Sequence, residues 1–165
     1  MSSTLDEMYR EIILDHYRSP RGKHPLKTID ITAGGHNPSC GDEIEVSIEM
    51  DKENGVLKDV HIDCKGCAIS VASGSMLAET VRGKKFEDVE KIAEAVKKLL
   101  KGETVDIPPE NEDLQALAGV RQFPVRIKCA LLAWATLIEG IKNYNKGVGE
   151  SKESEKTSTE TSEDN

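Results

Sequence analysis

A chain of 165 residues is long enough to bury its own core, so its four cysteines are not needed as covalent staples. Its 22 basic and 30 acidic residues leave a formal charge of -8, which argues against a protein that grips the phosphate backbone of nucleic acid. The opening MSSTLDEMYREIILDHY is charged every few positions, and no later stretch reaches the ~20 apolar residues of a membrane span, so a soluble cytoplasmic protein with reduced thiols is expected.

The first predicted element is a helix over about 4–18. Leu5, Met8, Tyr9, Ile12, Ile13 and Tyr17 recur at helical spacing, Ser3 or Thr4 can cap it, and Pro20 stops it. Three strands follow by period-two alternation: Ile29, Ile31 and Ala33; then Ile44, Val46, Ile48 and Met50 against Glu43, Glu45, Ser47 and Glu49; then Val60 and Ile62 against His61 and Asp63. The turn DKENG joins the last two as a hairpin. A helix over 68–82 is crowded with small residues, so another backbone can approach it closely. A second, over 86–101, turns Val89, Ile92, Ala93, Val96, Leu99 and Leu100 inward and ends at Gly102. A short helix is expected over 111–118 and a last one over 124–144, with Ile127, Leu131, Trp134, Ile138 and Ile141 as its buried stripe. The pattern predicts a single α+β domain over 1–146: a three-stranded antiparallel sheet with one polar face and helices packed on the other. Residues 147–165 are expected to form a disordered acidic tail, since 150–165 holds six acids, two lysines, seven Ser or Thr and no apolar residue to offset the entropy of ordering.

Within HNPSCGDEIEV, Cys40 sits on a turn just ahead of a strand, Cys67 opens the small-residue helix after Gly66, and Cys129 lies in the opening turns of the last helix. All three are at element ends, where ligands are presented and where a helix start raises the thiolate fraction. With Asp42 as a fourth donor they suit tetrahedral zinc or one face of an iron–sulfur cluster. Separations of 27 and 62 residues match no local zinc-finger rule, so spacing alone leaves buried, structural cysteines open as well. Cys64 forms C-x-x-C with Cys67 but shares parity with Val60 and Ile62, which points it at the core in a structural role. His36 can replace Asp42 as a ligand, though a plain turn histidine is the simpler reading. His16, His24 and His61 have no partner legible in the sequence.

The stretches NPSCGDEI, KGCAISVASGSML and FPVRIKCALLAWATL, in that order and preceded by MYREIILDHY, resemble the U-type iron–sulfur assembly proteins of the IscU/NifU superfamily over about residues 5–145. Scaffold members carry a histidine just before the third cysteine, where this chain has Lys128, and are shorter across 102–122. Both departures resemble the SufU-type branch. The resemblance implies zinc held by Cys40, Asp42, Cys67 and Cys129, and sulfur taken from the persulfide of a SufS-type cysteine desulfurase for a downstream cluster scaffold or apoprotein. The chain is then an acceptor rather than a stand-alone catalyst. Cys40, on a glycine-flanked turn, is the expected acceptor, because Cys67 and Cys129 are anchored on helices. Arg126 can compensate thiolate charge or be a solvated surface arginine, and Lys128, open to the same two readings, is the weaker candidate for the charge role. The alternatives are a scaffold that builds a [2Fe-2S] cluster, or binds Fe2+, on the same four residues, and a structural zinc module that serves as a docking adaptor.

Overall fold

The computed structural model describes residues 3–147 and 156–158. Helix α1 (Ser3–Arg18) turns only part of its predicted stripe inward: Tyr9, Ile12 and Ile13 pack on the core, while Leu5, Met8 and Tyr17 stay exposed. Its best-buried side chain is His16, which the sequence left without partners. Its Nδ1 lies 2.7 Å from Ser75 Oγ and its Nε2 2.9 Å from Asp113 Oδ2.

The predicted antiparallel sheet is present: β1 (Ile31–Asn37) pairs with β2 (Asp42–Asp51), and β2 with β3 (Val56–Lys65). Ile31 and Ala33 are buried, but Ile29 falls outside the strand and is exposed. The chain leaves the ladder at Asp30, whose N–H donates to Ile48 C=O and whose carboxylate accepts the Met50 N–H. On β2, Ile44, Val46 and Ile48 face the core and Glu43 and Glu45 face water. The outer face is not bare, since Ser47 and Glu49 are also buried and Glu49 Oε1 accepts the Lys27 N–H at 3.4 Å. The β2–β3 hairpin closes through Asp51 C=O and the Gly55 N–H, 2.8 Å apart.

Helix α2 (Ala68–Val81) runs through the centre of the molecule with most of its residues buried. Its small residues permit the close approach expected of them. Ser73 Oγ donates to Ala130 C=O at 2.6 Å and accepts from Trp134 Nε1 at 3.0 Å, which locks α2 to α4 (Ile127–Asn145). Helix α3 (Phe86–Leu100) packs through Val89, Val96 and Leu100. The short helix expected over 111–118 is instead a longer 3-10 run, Pro109–Gln122, kinked at Asn111. Two successive prolines, Pro108 and Pro109, remove backbone donors at its start. Helix α4 begins three residues later than its pattern predicts, because Pro124–Arg126 forms a separate 3-10 turn closed by the Arg126 N–H on Phe123 C=O.

Of the segment expected to be a disordered tail, Gly147 ends a turn and Lys156–Ser158 form β4, parallel to β1 beside Gly34, Gly35 and His36. The sheet order is therefore β3-β2-β1-β4. The rest of the tail lies outside the described residues.

Candidate metal centre

Three element ends converge at one rim of the domain. The β1–β2 loop spans residues 38–41 and is closed by the cross-strand pair Asn37 and Asp42. Asn37 C=O accepts both the Cys40 N–H (3.2 Å) and the Gly41 N–H (2.8 Å), and Gly41 adopts φ +75°, a left-handed conformation that glycine enters without strain. Cys40 is thereby held at the tip of a tight, half-exposed turn.

Asp42 is fully buried. Its Oδ1 accepts the Cys67 N–H at 3.0 Å, capping the start of α2, where Cys67 itself makes no side-chain cap. Its Oδ2 has no hydrogen-bond partner among the described residues. An orphaned carboxylate oxygen is costly in a buried place unless a cation or a hydrogen-bond donor completes it. Cys129, in the first turn of α4, is also fully buried, with its Sγ 3.2 Å from Cys40 Sγ and 3.5 Å from Asn37 Nδ2. All four cysteines are free thiols.

Cys40, Asp42 and Cys129 offer ligand atoms that lie within 4.8 Å of one another. A tetrahedral zinc with Zn–S near 2.3 Å sets neighbouring sulfurs about 3.8 Å apart, so this donor set fits such an ion. Cys67 stands just outside the trio, with its Sγ 3.8 Å from Ser70 Oγ, and reaches it through its backbone bond to Asp42. Arg126 faces the same space: Nη1 lies 3.6 Å from Cys40 Sγ. Contact with Cys129 and the charges of Cys67, Cys40 and Cys129 push the guanidinium pKa above its ordinary value. Burial, then the neighbouring Asp42 and Cys40, drive the Cys129 thiol well above the usual thiol range. A metal-free centre at neutral pH therefore keeps that proton.

Cys64 pairs with Ile44 across β2–β3 and packs on the core, where burial pushes its thiol up to about 11. Its Sγ donates to Ser70 Oγ at 3.8 Å. His36 pairs with Glu43 and is not among the gathered donors. Lys128 sits half-buried in the first turn of α4. Asn37 was missed by sequence reading. Its one available signal is the Asn-Pro pair that opens the turn, which suits any turn equally well.

The class this defines is an α+β domain with a buried carboxylate and two thiols gathered at one rim, a donor set that suits a thiophilic metal. The chain belongs to the NifU-like N-terminal domain family, which residues 8–151 match, and within the IscU/NifU superfamily it sides with the SufU branch. It is 35% identical over 146 residues to the zinc-dependent sulfurtransferase SufU of Bacillus subtilis (strain 168), covering 88% of this chain and 97% of that one. It is 34% identical over 139 residues to the iron–sulfur cluster assembly scaffold protein IscU of Thermotoga maritima, covering 84% of this chain and 96% of the other. Among solved structures, FiSufU, a SUF-system protein of the thermophile Fervidobacterium islandicum AW-1, superposes with a TM-score of 0.68 at 27% identity over 79% of this chain and 94% of its own. A NifU-like protein of Brucella abortus shares the fold, with a TM-score of 0.76 at 24% identity over 87% and 99% of the two chains. Among the described residues, no helix is long and apolar enough to cross a membrane.

Proposed function

We propose that the chain acts in iron–sulfur cluster assembly as a zinc-binding sulfur acceptor, taking persulfide sulfur from a SufS-type cysteine desulfurase on Cys40. The observation that carries this is the contrast between two touching thiols: Cys129 is sealed in the core, whereas Cys40 rides a half-exposed loop beside Arg126. Asp42, Cys67 and Cys129 would hold the ion together with Cys40. When bound, zinc supplies the positive charge that keeps the sulfurs deprotonated at neutral pH.

The chain's own residues account for the rest. The loop, with the conformational freedom of Gly41 beside Cys40, swings Cys40 outward once a partner docks, and Arg126 stabilises its negative charge in transit. The Cys40 thiolate attacks the outer sulfur of the partner's persulfide. The partner's S–S bond breaks, its cysteine leaves as a thiolate, and Cys40 becomes the persulfide, with no net oxidation or reduction. The sulfur then passes to a downstream cluster scaffold or apoprotein.

Incubation with a desulfurase and free cysteine, followed by peptide mapping, tests this. The extra sulfur is expected on Cys40, and Cys40→Ser is expected to accept none, because a hydroxyl at neutral pH is a far poorer nucleophile than a thiolate. Persulfide on Cys67 or Cys129 with Cys40→Ser still active would overturn the assignment. The match to relatives named as IscU scaffolds favours a second reading, in which the same four residues assemble a [2Fe-2S] cluster as cargo. Colourless protein with near-stoichiometric zinc after purification without added iron supports the acceptor; a brown protein supports the scaffold.

A further inference from the structure

The two residues that close the 38–41 loop are both polar, both fully buried, and paired across β1 and β2. Each reaches a different helix-borne cysteine. Asp42 Oδ1 accepts the Cys67 N–H at the head of α2, and Asn37 Nδ2 points at Cys129 Sγ, 3.5 Å away, at the head of α4. The other polar groups of Asn37 shape the loop. Its Oδ1 accepts the Ser39 N–H at 3.2 Å, and its C=O accepts the Cys40 and Gly41 N–H groups. One buried side chain therefore shapes the loop that carries Cys40 and donates a hydrogen bond to the sulfur that Cys40 touches.

We propose that Asn37 is a positioning residue of the metal centre: its amide holds Cys129 in place, so that Cys40 is the thiolate that leaves and Cys129 the one that stays. A hydrogen bond to a metal-bound thiolate withdraws electron density from the sulfur and lowers its nucleophilicity, and outer partners of this kind tune affinity as well as orientation. Cys129 receives such a bond from a rigid amide at the end of a strand. Cys40 accepts instead from the guanidinium of Arg126, 3.6 Å away, which also contacts Cys129 but sits on a flexible side chain that can follow Cys40 as the loop moves; what sets Cys129 apart is a donor fixed in the fold. The inference deepens the zinc-acceptor reading and rests on it.

Two variants test it. Asn37→Asp is isosteric and keeps the oxygen that accepts the Ser39 N–H, but removes the donor to sulfur; Asn37→Leu removes both. Each is loaded with Co2+ and with Zn2+ and compared with wild type by three readouts: the sulfur-to-cobalt charge-transfer band, zinc retention against a chelator, and the order in which limiting iodoacetamide alkylates the cysteines of the zinc form. In wild type, Cys40 is expected to be labelled before Cys129. In Asn37→Asp, the band is expected to move, zinc retention to fall roughly 10- to 100-fold, and Cys129 to be labelled alongside Cys40. Should Asn37→Leu fail to fold, Asn37→Asp carries the test alone. A folded Asn37→Asp protein with the wild-type band, retention and labelling order would overturn the role of Asn37 while leaving the zinc centre standing. A wild-type protein that takes up neither Co2+ nor Zn2+ would overturn both.

Discussion

A Cβ placed on Gly66 would collide with Asp42 Oδ1 and stand 2.6 Å from Ser70 Oγ. The requirement there is space, in contrast to Gly41, where a Cβ would meet nothing within 4 Å and only the positive φ asks for glycine. Gly66→Ala must therefore push the Asp42 carboxylate off the Cys67 N–H. It is expected to destabilise the apoprotein by about 1–3 kcal/mol and to weaken zinc binding, read by urea unfolding and by chelator titration. Wild-type values in both would mean that Asp42 has room to move. At this scale the sequence pointed to residues whose type is itself the chemistry: Cys40, Asp42 and Cys129, which the fold gathers, and Cys67, which stands just outside them. Asn37 stayed hidden because an asparagine before a proline already has a sufficient turn explanation, and Gly66 because spatial crowding leaves no trace in a one-dimensional pattern.

His16 works between elements. His16 Nε2 bonds to the Asp113 carboxylate, and Nδ1 lies 2.7 Å from the Ser75 hydroxyl, whose oxygen also accepts the Arg21 N–H at 2.8 Å. The imidazole thus joins α1, α2 and the 3-10 run, with partners 59 and 97 residues away, a separation that no local reading can bridge. His16→Ala is expected to cost about 2–4 kcal/mol through the cavity and the lost bonds, measured by denaturant unfolding, with zinc stoichiometry of the folded protein unchanged. A loss of zinc instead would tie this network to the metal centre. Strand alternation and the stripe of α3 were legible because each follows one period, whereas the stripe expected on α4 was only partly right: Trp134 and Ile141 are buried, but Ile127, Leu131 and Ile138 are half-buried, and Leu132, Ala133 and Leu137 are buried too because α4 is covered on more than one side. The start of β1, the 3-10 run and the late start of α4 were not, because side-chain and proline effects at Asp30, Pro108–Pro109 and Pro124 override the period there.

Over the whole molecule, the formal charge of -8 is shared equally between residues 1–149 and the segment 150–165. The described part of that segment is three residues of β4, which lie along the edge of β1 and beside α4, a small addition to a sheet whose other pairings are long. Deleting 150–165 is accordingly expected to lower the melting temperature by no more than about 2–4 °C, the shift that ~1 kcal/mol produces in a chain of this size, and to leave zinc affinity unchanged. Calorimetry of the truncated protein checks this, and a larger drop would assign the tail a structural part in the domain.

The bond between Trp134 and Ser73 has a practical consequence. Trp134 is the chain's single tryptophan, it is buried, and its indole N–H crosses from α4 to α2. Cys129 opens one of these helices and Cys67 immediately precedes the other, each within two turns of that contact. The protein therefore contains its own optical gauge: tryptophan emission, recorded without any label, reports the crossing of the two helices whose ends hold the thiols.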